Sequence, residues 1–172
     1  ETVLKRAQEK GYAERNPEAD VCGYDAGRKI AILTSLDSGN QVDFHDIYTE
    51  GITKVTSEDF AYAKKMGCAI KLLAVSKKMG ETYCAMVAPT LVRKENPLYM
   101  VNDVFNAVCV EGNMLGASMF YGSGAGKLPT ASAVVADVVD EARHLNRSIM
   151  AFWSSKKLEL TDISNSSRKF FV

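Results

Sequence analysis

The sequence predicts an α+β fold: a mostly antiparallel sheet built from successive hairpins, with helices packed on one face. Three observations lead there. Alternating apolar runs over 69–75 and 82–92 are joined by Lys77-Lys78-Met79-Gly80-Glu81, which reads as a hairpin. A second pair, 104–110 and 114–120, meets across Glu111-Gly112-Asn113. Segments with apolar residues at helical spacing stand before and after the hairpins, an order that favours segregated helices over a doubly wound sheet.

Residues 1–10 are predicted helical, with Val3, Leu4 and Ala7 on one stripe and Gly11 as the residue that ends the helix. A second helix begins near Tyr24 and runs to about Leu36, with Ala26, Ile30 and Leu33 in register and Asp25 at its N-cap. Asp37-Ser38-Gly39-Asn40 is a turn, and 42–56 is mixed. Thr56-Ser57-Glu58-Asp59 has the pattern of a capping box opening a helix that Gly67 closes. After the hairpins, Pro129 opens a helix whose stripe of Val134, Val135, Val138, Val139 and Ala142 is expected to be buried. Residues 148–153 read as a further strand, and Trp153 as core or interface.

Composition excludes several classes. A chain of 172 residues can bury a sizeable single core. Lys plus Arg and Asp plus Glu are equal at 21 each, so nucleic acid or an anionic membrane is not expected as the main partner. No apolar run approaches the ~18 residues of a spanning helix. Cys22, Cys68, Cys84 and Cys109 are scattered, without C-x-x-C spacing, and read as buried reduced thiols of a cytoplasmic protein. No metal site is expected: His45 lies between Asp43 and Asp46 without a partner at ligand spacing, and His144 falls at a helix C-terminus where it suits the dipole. The absent starting Met and the apolar ending Phe170-Phe171-Val172 suggest a piece of a longer protein.

The densest chemistry lies between Gly11 and Lys29. Pro17 and Gly23 separate three acids, Glu14, Asp20 and Asp25, so they belong to a loop that folds back and can bring them together. Asp25 and Lys29 are spaced to share a helix face. Two readings fit: a capped surface helix with an ordinary ion pair, or a carboxylate-lined cup for a cationic, hydroxyl-bearing substrate with the Lys29 ammonium at its reactive oxygen. Spacing alone does not choose between them.

A second motif is Gly122-Ser123-Gly124-Ala125-Gly126-Lys127, between a strand and the helix opened by Pro129. That order presents backbone N–H groups to an anion. It is not a Walker A loop, since Tyr121 replaces the first Gly and Leu128 the hydroxyl residue. It is not a dinucleotide fingerprint either, since Lys127 stands at the last Gly. A tight turn without a ligand and a cofactor contact both remain open on spacing.

The run Gly11-Tyr12-Ala13-Glu14 with Asn16-Pro17, Asp20, Gly23, Asp25 and Lys29 resembles the homoserine dehydrogenase signature G-Y-[AT]-E-x-D-P-x-x-D-x-x-G-x-D-[AV]-x-x-K. It departs at Asn16, where the family prefers Asp; Asn keeps the turn-forming side-chain oxygen. Gly51-Ile52, Gly67 to Lys71, Pro97-Leu98, Asn106-Ala107 and Gly122 to Asp137 extend the resemblance over most of the chain.

The resemblance implies NADPH- or NADH-dependent reduction of L-aspartate 4-semialdehyde to L-homoserine, a step towards threonine, methionine and isoleucine. It implies Glu14 and Asp25 as partners of the substrate ammonium with Asp20 supporting, Glu14 also contacting the nicotinamide, and Lys29 as proton donor or acceptor. Gly126 and then Gly124 are the implied cofactor neighbours. It further implies a homodimer and an N-terminal Rossmann domain that holds most of the cofactor and sets the NADP or NAD preference. On this reading 1–153 is the substrate-binding and dimerisation domain, inactive by itself. Residues 154–172 then lead towards a further segment, whose Phe-Phe-Val is similar to the opening strand of an ACT-type domain. A non-catalytic dimerisation or regulatory module on the same fold, and a reductase for another semialdehyde or oxo acid, are the rivals.

Overall fold

Residues 2–9, 11, 15–147 and 152–165 are described by the structure, a computed structural model of the chain. Glu14, most of the strand expected over 148–153, and Phe170-Phe171-Val172 lie outside them. Helices and strands mix as expected for α+β, in two compact units. Asn16–Phe60, Ile70–Thr90 and Ala151–Val172 form the unit with the acid stretch; Glu1–Arg15, Ala61–Ala69 and Leu91–Met150 form the other.

In the unit with the acid stretch, the short helix α2 (Glu18–Val21) turns at Gly23 into α3 (Tyr24–Ser38). The strands β1 (Asn40–Gln41) and β2 (Tyr48–Thr49) follow. The long strands β3 (Cys68–Met79) and β4 (Thr82–Arg93) are neighbours joined through Gly80 at φ 66°, the first predicted hairpin. β2 pairs parallel with β4, giving the order β2-β4-β3. After the other unit's elements, the chain returns as β7 (Ser154–Lys157), parallel to β1. Short parallel edges therefore supplement the antiparallel hairpins, because β1 and β2 are reached through long connections that a hairpin does not need.

The core of this unit lies between α3 and β4: Ile30 and Ala31 pack with Val42, Ile47, Ala85 and Val87, and Leu158 and Leu160 close over them. Two hydroxyls are buried in it without being orphaned. Thr34 Oγ1 donates to the Ile30 carbonyl at 2.7 Å, and Ser35 Oγ donates to Ala31 at 2.8 Å while accepting from Val42 N–H at 2.9 Å. The buried face is thus Gly27, Ile30, Ala31, Thr34 and Ser35, and Leu33 from the predicted stripe is exposed. Small and hydroxyl residues let the helix sit close to the strands, which apolar counting overlooks. Val87 is 0% exposed, and Val87→Ala is expected to lower stability by about 2 kcal/mol through lost burial and the cavity left behind. Urea unfolding measures it.

The other unit carries α1 (Thr2–Glu9), β5 (Phe105–Gly112), β6 (Gly116–Ser123) and α5 (Lys127–Arg143). Gly11 ends α1 at φ 71°, its N–H donating to the Gln8 carbonyl. β5 and β6 pair antiparallel from Phe105↔Ser123 to Gly112↔Gly116, so Glu111 and Gly112 belong to the strand and the turn is 113–115. The turn lies later than predicted because Gly116, at φ 77°, takes the left-handed position that closes this hairpin. Phe105 stacks on Tyr121 with centroids 4.9 Å apart.

Two expectations fail here. The valine stripe of α5 is exposed, with Val134, Val135, Val138 and Val139 at 41–63%. Its apolar spacing marks a face that covers something, but none of the described residues of α5 is buried. Cys109 is likewise exposed on β5, although Cys84 is buried as expected.

The capping box forms as predicted in α4 (Ser57–Lys65), which contributes residues to both units. Asp59 Oδ2 accepts from Thr56 N–H at 2.7 Å and from Thr56 Oγ1 at 2.8 Å, and Asp59 N–H donates back to Thr56 Oγ1 at 3.3 Å. The backbone and then the side-chain hydrogen bond lower the Asp59 pKa below 3.8. A depressed carboxylate stabilises the fold above its unfolded pKa, so this cap is lost only as pH falls through the lowered value.

Candidate active site at the start of the third helix

Asp25 and Lys29 are brought together. Lys29 Nζ stands 2.7 Å from Asp25 Oδ2, one turn apart on α3, with side chains 68% and 45% exposed. Asp25 is not the N-cap. Gly23 caps the helix in the left-handed region, φ 80° and ψ 9°, without a side-chain hydrogen bond, and Asp25 falls in the first turn. A carboxylate there favours the positive end of the helix dipole, and its oxygen points to Lys29 instead of to the backbone.

Asp20 is exposed on α2, just before the turn. The acid stretch is therefore partly helical: Asn16 Oδ1 accepts from Glu18 N–H at 3.3 Å, the turn-forming role foreseen for Asn in place of Asp. Asp20 and Asp25 flank Gly23 in one unit, whereas Gly124 and Gly126 belong to the other.

Beside the turn is an open hollow of about 200 Å³ lined by Cys22, Tyr24, Thr49, Glu50, Gly51, Thr53 and Lys54. Asp25 and Lys29 stand outside that lining, on the exposed flank of α3. Tyr48 Oη donates to Glu50 Oε2 at 3.1 Å, and this bond to a carboxylate raises the Tyr48 pKa above 10.0.

The glycine loop keeps its strand, loop, helix order. Gly122 and Ser123 end β6, Gly124 N–H donates to the Val104 carbonyl at 3.0 Å, and α5 starts at Lys127. Gly126 precedes the helix at φ 114° and ψ 159°, a conformation reserved for glycine. The first N–H groups of α5 have no carbonyl to reach within the helix. At Gly124 the space a Cβ would take is filled by the Asn106 side chain, which accounts for that glycine by packing. In the sequence Asn106 stands out only within the Asn106-Ala107 part of the resemblance.

The remaining candidates are ordinary surface groups. His45 is exposed and its Nδ1 lies 2.8 Å from Asp43 Oδ1. His144 ends α5, with Nδ1 2.9 Å from the Asp140 carbonyl. Among the described residues no three His, Cys, Asp or Glu side chains are grouped to hold a metal, and no helix is long and apolar enough to cross a membrane.

The chain is similar to known proteins over most of its length. A family model described as homoserine dehydrogenase matches residues 1–139. The homoserine dehydrogenase of Synechocystis sp. is 52% identical over 142 residues, covering 80% of this chain and 33% of that protein. That of Neisseria gonorrhoeae is 49% identical over 141 residues, covering 82% and 32%. The crystal structure of a homoserine dehydrogenase from Thiobacillus denitrificans superposes with a TM-score of 0.80 at 39% identity, covering 91% of this chain and 39% of that one. The chain spans about a third of the length of the curated relatives it matches.

Proposed function

Because the chain belongs to the homoserine dehydrogenase family, we propose that the whole protein reduces L-aspartate 4-semialdehyde to L-homoserine, reversibly, with NADPH or NADH. The observation that carries this reading is the Asp25–Lys29 pair at 2.7 Å within a matching signature, on a helix start held by Gly23.

The substrate carries an ammonium group and an aldehyde or alcohol oxygen. Carboxylates recognise the first, and Asp25 and Glu14, with Asp20 supporting, are assigned to it. Lys29 serves the second: its ammonium stabilises negative charge developing on the substrate oxygen and gives it a proton, and its amine takes that proton back in oxidation. Asp25 keeps the Lys29 ammonium directed along one face of α3.

A nicotinamide cofactor supplies the hydride chemistry. In this chain the Gly126 turn into α5, with Gly124 beside it, and Glu14 are assigned to its nicotinamide end; the rest is assigned to an N-terminal nucleotide domain of the longer protein. Residues 1–153 then serve as the substrate-binding and dimerisation domain, and 154–172 as the lead into a further segment. The apolar hairpin face of Val108, Val110 and Phe120, together with the α5 valines, is exposed here and suits a homodimer interface. The reading places the enzyme in the cytoplasm.

The test is a spectrophotometric assay of the full-length protein. Homoserine-dependent reduction of NAD or NADP is expected; its absence, with turnover of another semialdehyde or oxo acid, would move the protein to a related reductase.

A further inference from the structure

The turn that holds Asp20 and Asp25 is tied to the end of β2 by backbone hydrogen bonding. Glu50 N–H donates to the Val87 carbonyl and Ile52 N–H to the Val21 carbonyl, both at 2.8 Å. Between these two bonds the chain passes against Val21 and Cys22. A Cβ on Gly51 would stand 2.5 Å from Cys22 Cα and 2.9 Å from the Cys22 carbonyl carbon, and closer still to the Val21 oxygen. The other side of the contact is close at Gly23 and ordinary at Gly27. A Cβ on Gly23 would lie 3.1 Å from Val87 Cγ1 and 3.2 Å from Thr49 Cγ2, and one on Gly27 would lie 3.4 Å from Thr49 Oγ1.

We infer that Gly51 is a positioning residue for the substrate site: the missing side chain sets where the Asp20–Asp25 turn, and with it the Asp25–Lys29 pair, is held. The inference rests on the homoserine dehydrogenase reading. Gly51 is not needed for a left-handed φ, since its φ is not positive. The constraint is space. Ordinary contact begins near 3.4 Å, and the atoms in the way are backbone that no rotamer change can move. A methyl group must displace the turn by about 1 Å, enough to misalign a reacting pair. The hydrogen bond from Ile52 to Val21 transmits the displacement instead of absorbing it.

The experiment compares Gly51→Ala, Gly23→Ala and Gly112→Ala in the full-length protein, by steady-state homoserine oxidation and thermal melting. Gly51→Ala is expected to raise the homoserine KM about tenfold and lower kcat about tenfold per folded molecule, with the cofactor KM changed less than about twofold. Gly23→Ala, whose Cβ would press on Val87 Cγ1 at 3.1 Å and Thr49 Cγ2 at 3.2 Å, is expected to move the homoserine KM about threefold in the same direction. Gly112→Ala, whose Cβ would meet only the Gly116 oxygen at 3.9 Å, is expected to match wild type.

A merely structural role would lower the melting temperature of Gly51→Ala and leave the constants per folded molecule unchanged, which overturns the inference. If Gly51→Ala yields no folded protein, Gly23→Ala decides, since its methyl presses on the same turn from the Val87 and Thr49 side, and a wild-type homoserine KM there overturns it. Wild type inactive on homoserine sinks the proposed function and this inference with it. Active wild type with an unaltered Gly51→Ala sinks only the inference.

Discussion

Lys29→Ala in the full-length protein is expected to lower kcat for homoserine oxidation by about 10³-fold, the range for losing a group that both carries a proton and stabilises developing charge. The fold should be untouched. Lys29 lies on the exposed flank of α3, away from the Ile30 and Ala31 face that builds the core. Alanine is a better helix former than lysine, and an exposed pair of this spacing contributes only ~0.3–0.5 kcal/mol. Lys29→Arg sharpens the result. A guanidinium retains the positive charge but does not release its proton near neutral pH, so turnover should stay low even if substrate still binds. Unchanged turnover in Lys29→Ala would remove the mechanism and leave the non-catalytic module as the better description.

Asp25→Asn is expected to reduce kcat/KM for homoserine by about 10²-fold, mostly through KM, because the substrate ammonium loses a carboxylate. Asn has nearly the same shape and can still accept a hydrogen bond, so the variant separates charge from size. The amide also weakens the hold on Lys29, now 2.7 Å away, and a smaller fall in kcat should accompany the rise in KM. Thermal melting should move little, since the exposed pair and the first-turn dipole term together amount to ~1 kcal/mol. A variant with wild-type KM and lowered stability would show that Asp25 is an ordinary helix-start acid.

Much of the fold is legible because its signals are local. The Thr56 to Asp59 capping box, the Gly11 and Gly67 helix ends and the hairpin at Gly80 each depend on a few neighbouring residues whose φ or side-chain oxygens dictate one geometry. The buried face of α3 is harder to read, because Thr34 and Ser35 satisfy their hydroxyls on the helix's own carbonyls and so behave as core residues. The α5 stripe is apolar as expected but exposed where burial is predicted. Periodicity reports which side of a helix avoids water, not whether this chain supplies the cover.

For the candidate site the division is similar. The amino-acid sequence alone determined the chemistry: which carboxylates and which amine are present, that Asp25 and Lys29 share one face, and the family to which their spacing points. Only tertiary structure decided that Gly23, not Asp25, starts the helix, that Asn106 fills the space over Gly124, and that Gly51 lies against Val21 and Cys22. The reason is physical. Residues one helical turn apart are held together by the backbone's own repeat, but a close approach between residues 21 and 51 exists only after a strand and a helix have packed, and a glycine's missing atom does not say what stands in its place.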